Sequence, residues 1–301
     1  MIEKMTQEIV FPGLKDRPSN IEWTHELFEV AGLSDVGLVR SKNEDSFYVA
    51  HPSQVDLSRG VLLAVADGMG GHVAGEVASQ TAIDFLATYY SDEDVFESPE
   101  ERLGRKVVQA NETLLALAQA SPLLDGMGTT LTAVLLVEGG HLAICHVGDS
   151  RVYLLRNGSL EAQSDDHSFV GEQVRLGFLT EAEARVHPAR NVITRALGIR
   201  PSVNPDLGSL DLKPGDRLLL SSDGLHGYVD DDAILDVLAK APCAAEACGR
   251  LVTLALEAGG LDNVTVIVAY VRETAKIIER VAGKKSPDFL DAPTRPGIEG
   301  E

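Results

Sequence analysis

An α+β layered domain is what the sequence predicts, on three observations. Short β-branched-rich runs recur along the chain. Longer stretches with helical spacing lie grouped between them. An Asn157-Gly158 pair joins two of the runs, and this dipeptide favours the type I′ turn of an antiparallel hairpin because both central residues need positive φ.

Taken in order, residues 1–27 mix charges with Pro12, Pro18 and Trp23 and show weak periodicity. They read as an extension whose end packs on the domain, which then covers residues 28–272. Buried strands are expected at Val61–Ala66, Leu131–Val137, Leu142–Val147, Val152–Arg156, Arg217–Ser221 and Val264–Tyr270. Ser159–Gln163 is the return strand of the Asn-Gly hairpin. Helices are expected at Ala74–Tyr90, Glu100–Ala120, Asp231–Ala239 and Ala244–Ala258. In the first of these, Val77, Thr81 and Phe85 recur every four residues, as do Ala78, Ala82 and Leu86. Residues 165–197 carry few strand signals, several charges and the breakers Gly171, Gly177 and Pro188. They read as an inserted flap with one short helix, and a flap of this kind beside a site contacts substrate. An ordinary long connection is the competing reading. Residues 273–301 begin with a helix candidate through Arg280 and then turn Gly/Pro-rich and polar, the composition of a disordered tail.

The chain has 301 residues, 44% of them hydrophobic, enough for one large core that needs no disulfide staples. Cys145, Cys243 and Cys248 form no C-x-x-C pair, and their odd number fits reduced thiols. No apolar run has the length of a membrane span, and Met1–Val10 lacks the apolar centre of a signal peptide, so a cytoplasmic location is expected. The net charge of −20 disfavours nucleic acid as a partner.

The acids fall at telling places. Asp67, Asp149 and Asp223 each follow an apolar run, Asp262 precedes another, and Glu44 and Asp45 precede a fifth. A carboxylate at the end of a buried strand is costly unless solvated or paired. Few bases lie near in sequence, Arg40 and Arg151 being the nearest. Divalent cations are the natural partners, and all-oxygen ligands select hard ions such as Mg²⁺, Mn²⁺ or Ca²⁺. Gly68 and Gly224, directly after two of the acids, allow close backbone approach. Asp-Gly is also a common turn, so spacing alone leaves scattered turn acids open.

The ordered set R40-S-K-N-E44-D45, V65-A-D67-G-M-G-G-H72, M127-G-T-T, V147-G-D149-S-R, S222-D223-G and L261-D262-N263 resembles the PPM (type 2C) metal-dependent Ser/Thr protein phosphatases, the bacterial branch above all. The likeness runs from about Glu29 to Val271. It implies two antiparallel sheets stacked as a sandwich, flanked by helix pairs, with metals at one end. It also implies that Asp67 bridges two Mn²⁺ or Mg²⁺ ions, with the Gly68 carbonyl on one of them. Asp223 and Asp262 would ligate the first ion. Glu44, with Asp45 beside it, would support the second. Asp149 would help hold a third, weaker ion with Asp223 shared, and Arg40 would bind the substrate phosphate. The reaction implied is hydrolysis of phosphoserine and phosphothreonine on proteins by water activated at the metals, without a phosphoenzyme. Phosphorylated Ser/Thr proteins, including Ser/Thr kinases and their targets, are the implied partners.

One departure stands out. Eukaryotic relatives carry His directly after the Asp-Gly pair, where this chain has Met69; His72 lies close by in sequence. Two rivals remain. Cys145 and Arg151 have the C-x5-R spacing of cysteine-dependent phosphatases, but a strand and turn follow Arg151 where that chemistry needs a helix N-terminus. A non-catalytic metal-binding or interaction module on the same scaffold is the other. Against it, every candidate ligand is present together with Arg40.

Overall fold

The computed structural model describes residues 19–272, apart from 52, 54–58, 71–73, 92–96 and 138. The expected tail at 273–301, the helix candidate through Arg280, the start of the extension and His72 lie outside the described residues.

Two antiparallel sheets form the centre. The first has β1 (Asn20–Thr24), β2 (Phe28–Asp35), β8 (Arg151–Arg156), β9 (Ser159–Ala162), β11 (Arg217–Ser221) and β12 (Val264–Val271), in the spatial order β1-β2-β12-β11-β8-β9. The second has β3 (Asp45–Val49), β4 (Val61–Met69), β6 (Leu131–Leu136), β7 (His141–Val147) and β10 (Asp206–Asp211), in the order β10-β7-β6-β4-β3. The short β5 (Gly128–Thr129) pairs with the end of β4. Helices α1 (Ala74–Ala87) and α2 (Pro99–Ala120) cover the second sheet, and α6 (Asp231–Lys240) and α7 (Ala244–Glu257) cover the first. This is the α-β-β-α sandwich that the motifs implied.

Both faces of the central strands are buried, which explains their mostly apolar runs. Leu218 and Leu220 join the core between the sheets, while Leu219 joins the core under α6 and α7. Val152 and Leu154 alternate in the same way with Tyr153 and Leu155, as the period of two requires. The β8–β9 turn has Asn157 at φ 53° and Gly158 at φ 81°, the hairpin geometry that the dipeptide predicts. At the start of α2, Ser98 and Glu101 form a reciprocal capping box with Pro99 in the first turn, so the helix begins one residue earlier than its periodicity suggests.

Several elements escape the sequence pattern, strand β2 at Phe28–Asp35 among them. Residues 20–24, within the stretch read as an extension, form edge strand β1 on β2 and bury Trp23. Strand β10 is nearly all exposed and its sequence DLGSLD has little strand propensity; pairing with β7 holds it in place. Residues 165–197 contain two short helices, α3 (Phe169–Arg175) and α4 (Glu181–Val186), where one was expected. The overlooked signal is the Thr180–Glu183 capping box.

Candidate metal centre

Strand register brings the dispersed acids toward one end of the sandwich. Asp45, first in β3, lies opposite Asp67 near the end of β4. Asp223 opens the short helix α5 (Asp223–His226) just after β11, and Asp262 precedes β12, the neighbour of β11. Asp149 sits in the turn between β7 and β8, where the chain crosses from one sheet to the other.

Hydroxyls and backbone groups hold this arrangement. The Asp67 amide donates to Thr130 Oγ1 at 2.9 Å, and its carbonyl accepts from the Thr130 amide and from Thr129 Oγ1, each at 2.9 Å. Asp45 Oδ2 accepts from Ser222 Oγ and Thr265 Oγ1, both at 2.7 Å, which joins the two sheets. Asn263 is buried and staples the loop that carries Arg40 and Glu44. Its Oδ1 accepts from the Glu44 amide at 2.8 Å, and its Nδ2 donates to the carbonyls of Val36 at 2.9 Å and Lys42 at 2.8 Å. Thr130 lay within the quoted M127-G-T-T motif. Ser222 and Asn263 lay within the quoted motifs without an assigned task, and Thr265 carried no signal at all.

The charges act on one another. Burial, then the negative charges of Asp45, Asp223, Asp149 and Asp262, push the Asp67 carboxyl well above the usual carboxylate range. Burial raises Asp45 to about 7, against the two hydroxyl bonds, with Asp223 and Asp262 adding to the rise. Burial and the charge of Asp262 raise Asp223 to about 6. Asp149 is pushed well up by burial, then by Asp223 and Asp166. Glu44 is raised as well, chiefly by burial. Five acids that resist ionising together call for positive charge among them.

Two further observations fit a cation. Asp45 Oδ1 and Asp149 Oδ1 are buried with no hydrogen-bond partner among the described residues. A Cβ placed on Gly75 would come within 2.9 Å of both Glu44 Oε1 and the Gly68 carbonyl oxygen, so glycine keeps open a spot bracketed by two oxygens. Gly68 is itself obligatory, because a Cβ there would lie 2.0 Å from the Gly75 carbonyl oxygen. Among the described residues no three acidic, His or Cys side chains are already drawn into a closed ligand set. Like-charge repulsion opposes such closure, and a cation would favour it.

The bases behave differently from the acids. Arg40 is exposed and donates to Asp262 Oδ2 at 2.8 Å, so the expected phosphate binder touches an expected metal ligand. Arg151 does not pair with Asp149. It grips Asp166 through two bonds of 2.8 and 2.7 Å and also donates to Tyr153 Oη at 2.9 Å. Around the same turn, His167 Nδ1 accepts from the Gly148 amide at 3.0 Å and its Nε2 donates to Asp206 Oδ2 at 3.0 Å, while His226 donates to the Asp149 carbonyl. These groups fix the Asp149 turn against the base of the 165–197 segment. Asp149 and Asp223 also line a cavity of about 350 Å³ whose wall includes Val174 of α3 and Ala184 of α4.

Cys145 is a core residue of its strand, which speaks against the cysteine rival. It is fully buried in β7, opposite Ala133 and Leu207, and burial pushes its thiol far up. All three cysteines are free.

The family pattern described as Protein phosphatase 2C matches residues 40–255. The chain belongs to the protein phosphatase 2C family. It is 46% identical over 241 residues to the serine/threonine protein phosphatase PstP of Mycobacterium tuberculosis, covering 80% of this chain and 44% of that protein. It thus spans less than half the length of this mycobacterial relative. It is 36% identical to protein phosphatase PhpP of Streptococcus pneumoniae over 81% of this chain and 98% of that one. Among solved structures, the M. tuberculosis PstP catalytic domain in complex with two manganese ions superposes with a TM-score of 0.72 at 44% identity, covering 82% of this chain and 99% of that one. Stp1 of Staphylococcus aureus gives 0.76 at 38% identity, covering 84% and 100%. The α-β-β-α sandwich described above is therefore the protein phosphatase 2C fold. No helix among the described residues is long and apolar enough to cross a membrane.

Proposed function

We propose that this chain hydrolyses phosphoserine and phosphothreonine on proteins with two core Mn²⁺ or Mg²⁺ ions and a weaker third. The observation that carries the reading is Asp67: a half-buried carboxyl beside four other carboxylates and raised by all of them. Asp67, Asp223 and Asp262 would hold one core ion. Asp67 again, with the Gly68 carbonyl, Glu44 and Asp45, would serve the second, and Asp149 with Asp223 the third. When bound, such ions acidify water and neutralise the charge on a phosphoryl group.

The chain's own residues do the remaining work. Thr130 and Thr129 fix the Asp67 backbone, and Ser222 and Thr265 orient Asp45. The Arg40 guanidinium, exposed beside Asp262, presents paired donors that match phosphate oxygens. Met69 cannot donate a proton, so the leaving alkoxide is not protonated from that position. The substrates are phosphorylated Ser/Thr proteins, Ser/Thr kinases and their targets among them, and the relatives named as Ser/Thr phosphatases support this class.

The test is hydrolysis of p-nitrophenyl phosphate with Mn²⁺. Activity should vanish with EDTA and with Asp67→Asn, and should survive iodoacetamide. Near-normal turnover by Asp67→Asn would refute the role given to that residue, and no turnover with any metal would favour the non-catalytic module.

A further inference from the structure

A second cleft, of about 630 Å³, lies beside the end of β4. Met69, Ile193, Arg195, Ile199, Arg200 and Val203 are among its walls. Met69 is two residues beyond Asp67 on one strand, so the cleft begins within about 7 Å of the carboxylate cluster along the chain. None of the metal-centre residues lines it, and the sequence motifs do not reach its far wall.

The far wall is a built structure. Leu197 and Thr129 exchange backbone hydrogen bonds of 3.1 and 2.9 Å. Asn111, fully buried on α2, accepts from the Gly198 amide at 2.8 Å and donates to the Arg200 carbonyl at 3.0 Å. Gly198 takes φ 82°, which a side chain would resist. A Cβ on Gly128 would come within 2.7 Å of Ile199 Cδ1, so glycine there lets Ile199 seat against β5. Residues 197–200 are thus held from below by a buried amide and by a neighbouring strand. A surface ordered in advance loses little freedom on binding.

This wall presents an apolar side chain beside two guanidiniums. Ile199 is 48% exposed. Arg195 is tied to the Asp206 carboxylate and to the Asn204 carbonyl. Arg200 is exposed and has no hydrogen-bond or ion-pair partner among the described residues. Of the two guanidiniums on this cleft, Arg195 already holds a carboxylate and Arg200 is left to meet one. The overall charge repels acidic segments, so any attraction for one has to be local and aimed.

We propose that this cleft docks the phosphoprotein segment flanking the scissile phosphate, with Arg200 pairing an Asp or Glu roughly two to four residues from the phosphorylated residue and Ile199 packing against an apolar neighbour of that acid. The proposal rests on the phosphatase reading above and adds a sequence preference to it. Charge complementarity at Arg200 and continuity with the end of β4 favour this occupant over a second copy of the chain, whose net charge is −20.

The test compares the parent protein with Arg200→Ser and Arg200→Glu in Mn²⁺. Substrates are p-nitrophenyl phosphate and a set of phosphothreonine peptides that differ only by Glu, Ala or Lys at successive positions on either side. The small substrate has no side chains to dock and serves as the internal reference. The parent should prefer Glu to Lys at one or more positions. Arg200→Ser should lose about fivefold in kcat/KM on that Glu peptide, the factor for one exposed ion pair of about 1 kcal/mol. Arg200→Glu should invert the preference, and neither variant should alter turnover of the small substrate. Equal turnover of Glu and Lys peptides by the parent would overturn the proposal. So would an equal effect of Arg200→Glu on every peptide, or a change in oligomeric state without a change in preference. Failure of the parent to hydrolyse even the small substrate would instead sink the phosphatase reading, and this proposal with it.

Discussion

Replacing Asn263 by Ala removes the staple that holds the 36–44 loop. Three hydrogen bonds vanish, to the Glu44 amide and to the Val36 and Lys42 carbonyls, at 2.8, 2.9 and 2.8 Å. At about 0.5–1.5 kcal/mol net for each, the loss is about 1.5–4.5 kcal/mol. For a domain of this size about 3 kcal/mol corresponds to a fall in Tm of roughly 6–12 °C. The loop carries Arg40 and Glu44, so the same change should lower kcat/KM for p-nitrophenyl phosphate, because groups displaced by as little as about 1 Å lose much of their effect. Asn263→Asp is the informative comparison. It keeps the shape but sets a carboxylate oxygen against two carbonyls, so it should fall at least as far. Thermal unfolding and steady-state kinetics on the same preparations check both. An Asn263→Ala protein with Tm within about 2 °C of the parent and an unchanged kcat/KM would refute the reasoning.

Other outcomes are expected as well. With EDTA, stability should fall as pH rises above about 6.5, where the histidines no longer offset the raised acids. Asp45 and Asp223 are raised from 3.8 to about 7 and about 6, so the fold binds more protons than the unfolded chain and loses stability as pH rises through that range. Burial lowers His146 and His226 from 6.5 to about 4 and about 3, so their contribution is lost as pH falls below 6.5. Mn²⁺ should raise Tm more at about pH 8 than at about pH 5, and a Tm in EDTA that climbs steadily to the alkaline end would contradict this. Arg151→Met should destabilise by about 3–5 kcal/mol in urea unfolding, because it leaves Asp166 buried without its cation, whereas Cys145→Ala should retain turnover. A Cys145→Ala enzyme that is inactive though folded would revive the cysteine reading. Arg40→Ala should raise KM for p-nitrophenyl phosphate more than it lowers kcat, and an unchanged KM would count against its phosphate role.

Much of the fold could be read from local pattern. The six apolar runs became strands with ends within a few residues of those expected, because both faces of each are largely buried and few polar residues interrupt them. Asn157-Gly158 made its hairpin because the turn's φ requirements are local. Strand β1 was less legible and β10 was not legible at all, since each is held at a sheet edge by a partner far along the chain rather than by its own composition. The two helices in 165–197 are too short to show a period, and only their caps announce them.

The candidate site divides in the same way. That acids abut apolar runs is a property of the sequence, and their order along the chain carries the family. Which groups touch is not. Arg40 meets Asp262, Arg151 passes over Asp149 to grip Asp166, and Asp45 takes hydroxyls from Ser222 and Thr265 on the opposite sheet. The Asn263 staple and the Asn111 support beneath Arg200 likewise join positions remote in the chain. Side-chain type and local spacing settle which segments become strands and which atoms can bind a hard cation. Partners separated by long stretches of chain are chosen by strand register and sheet stacking, and those exist only once the tertiary structure has formed.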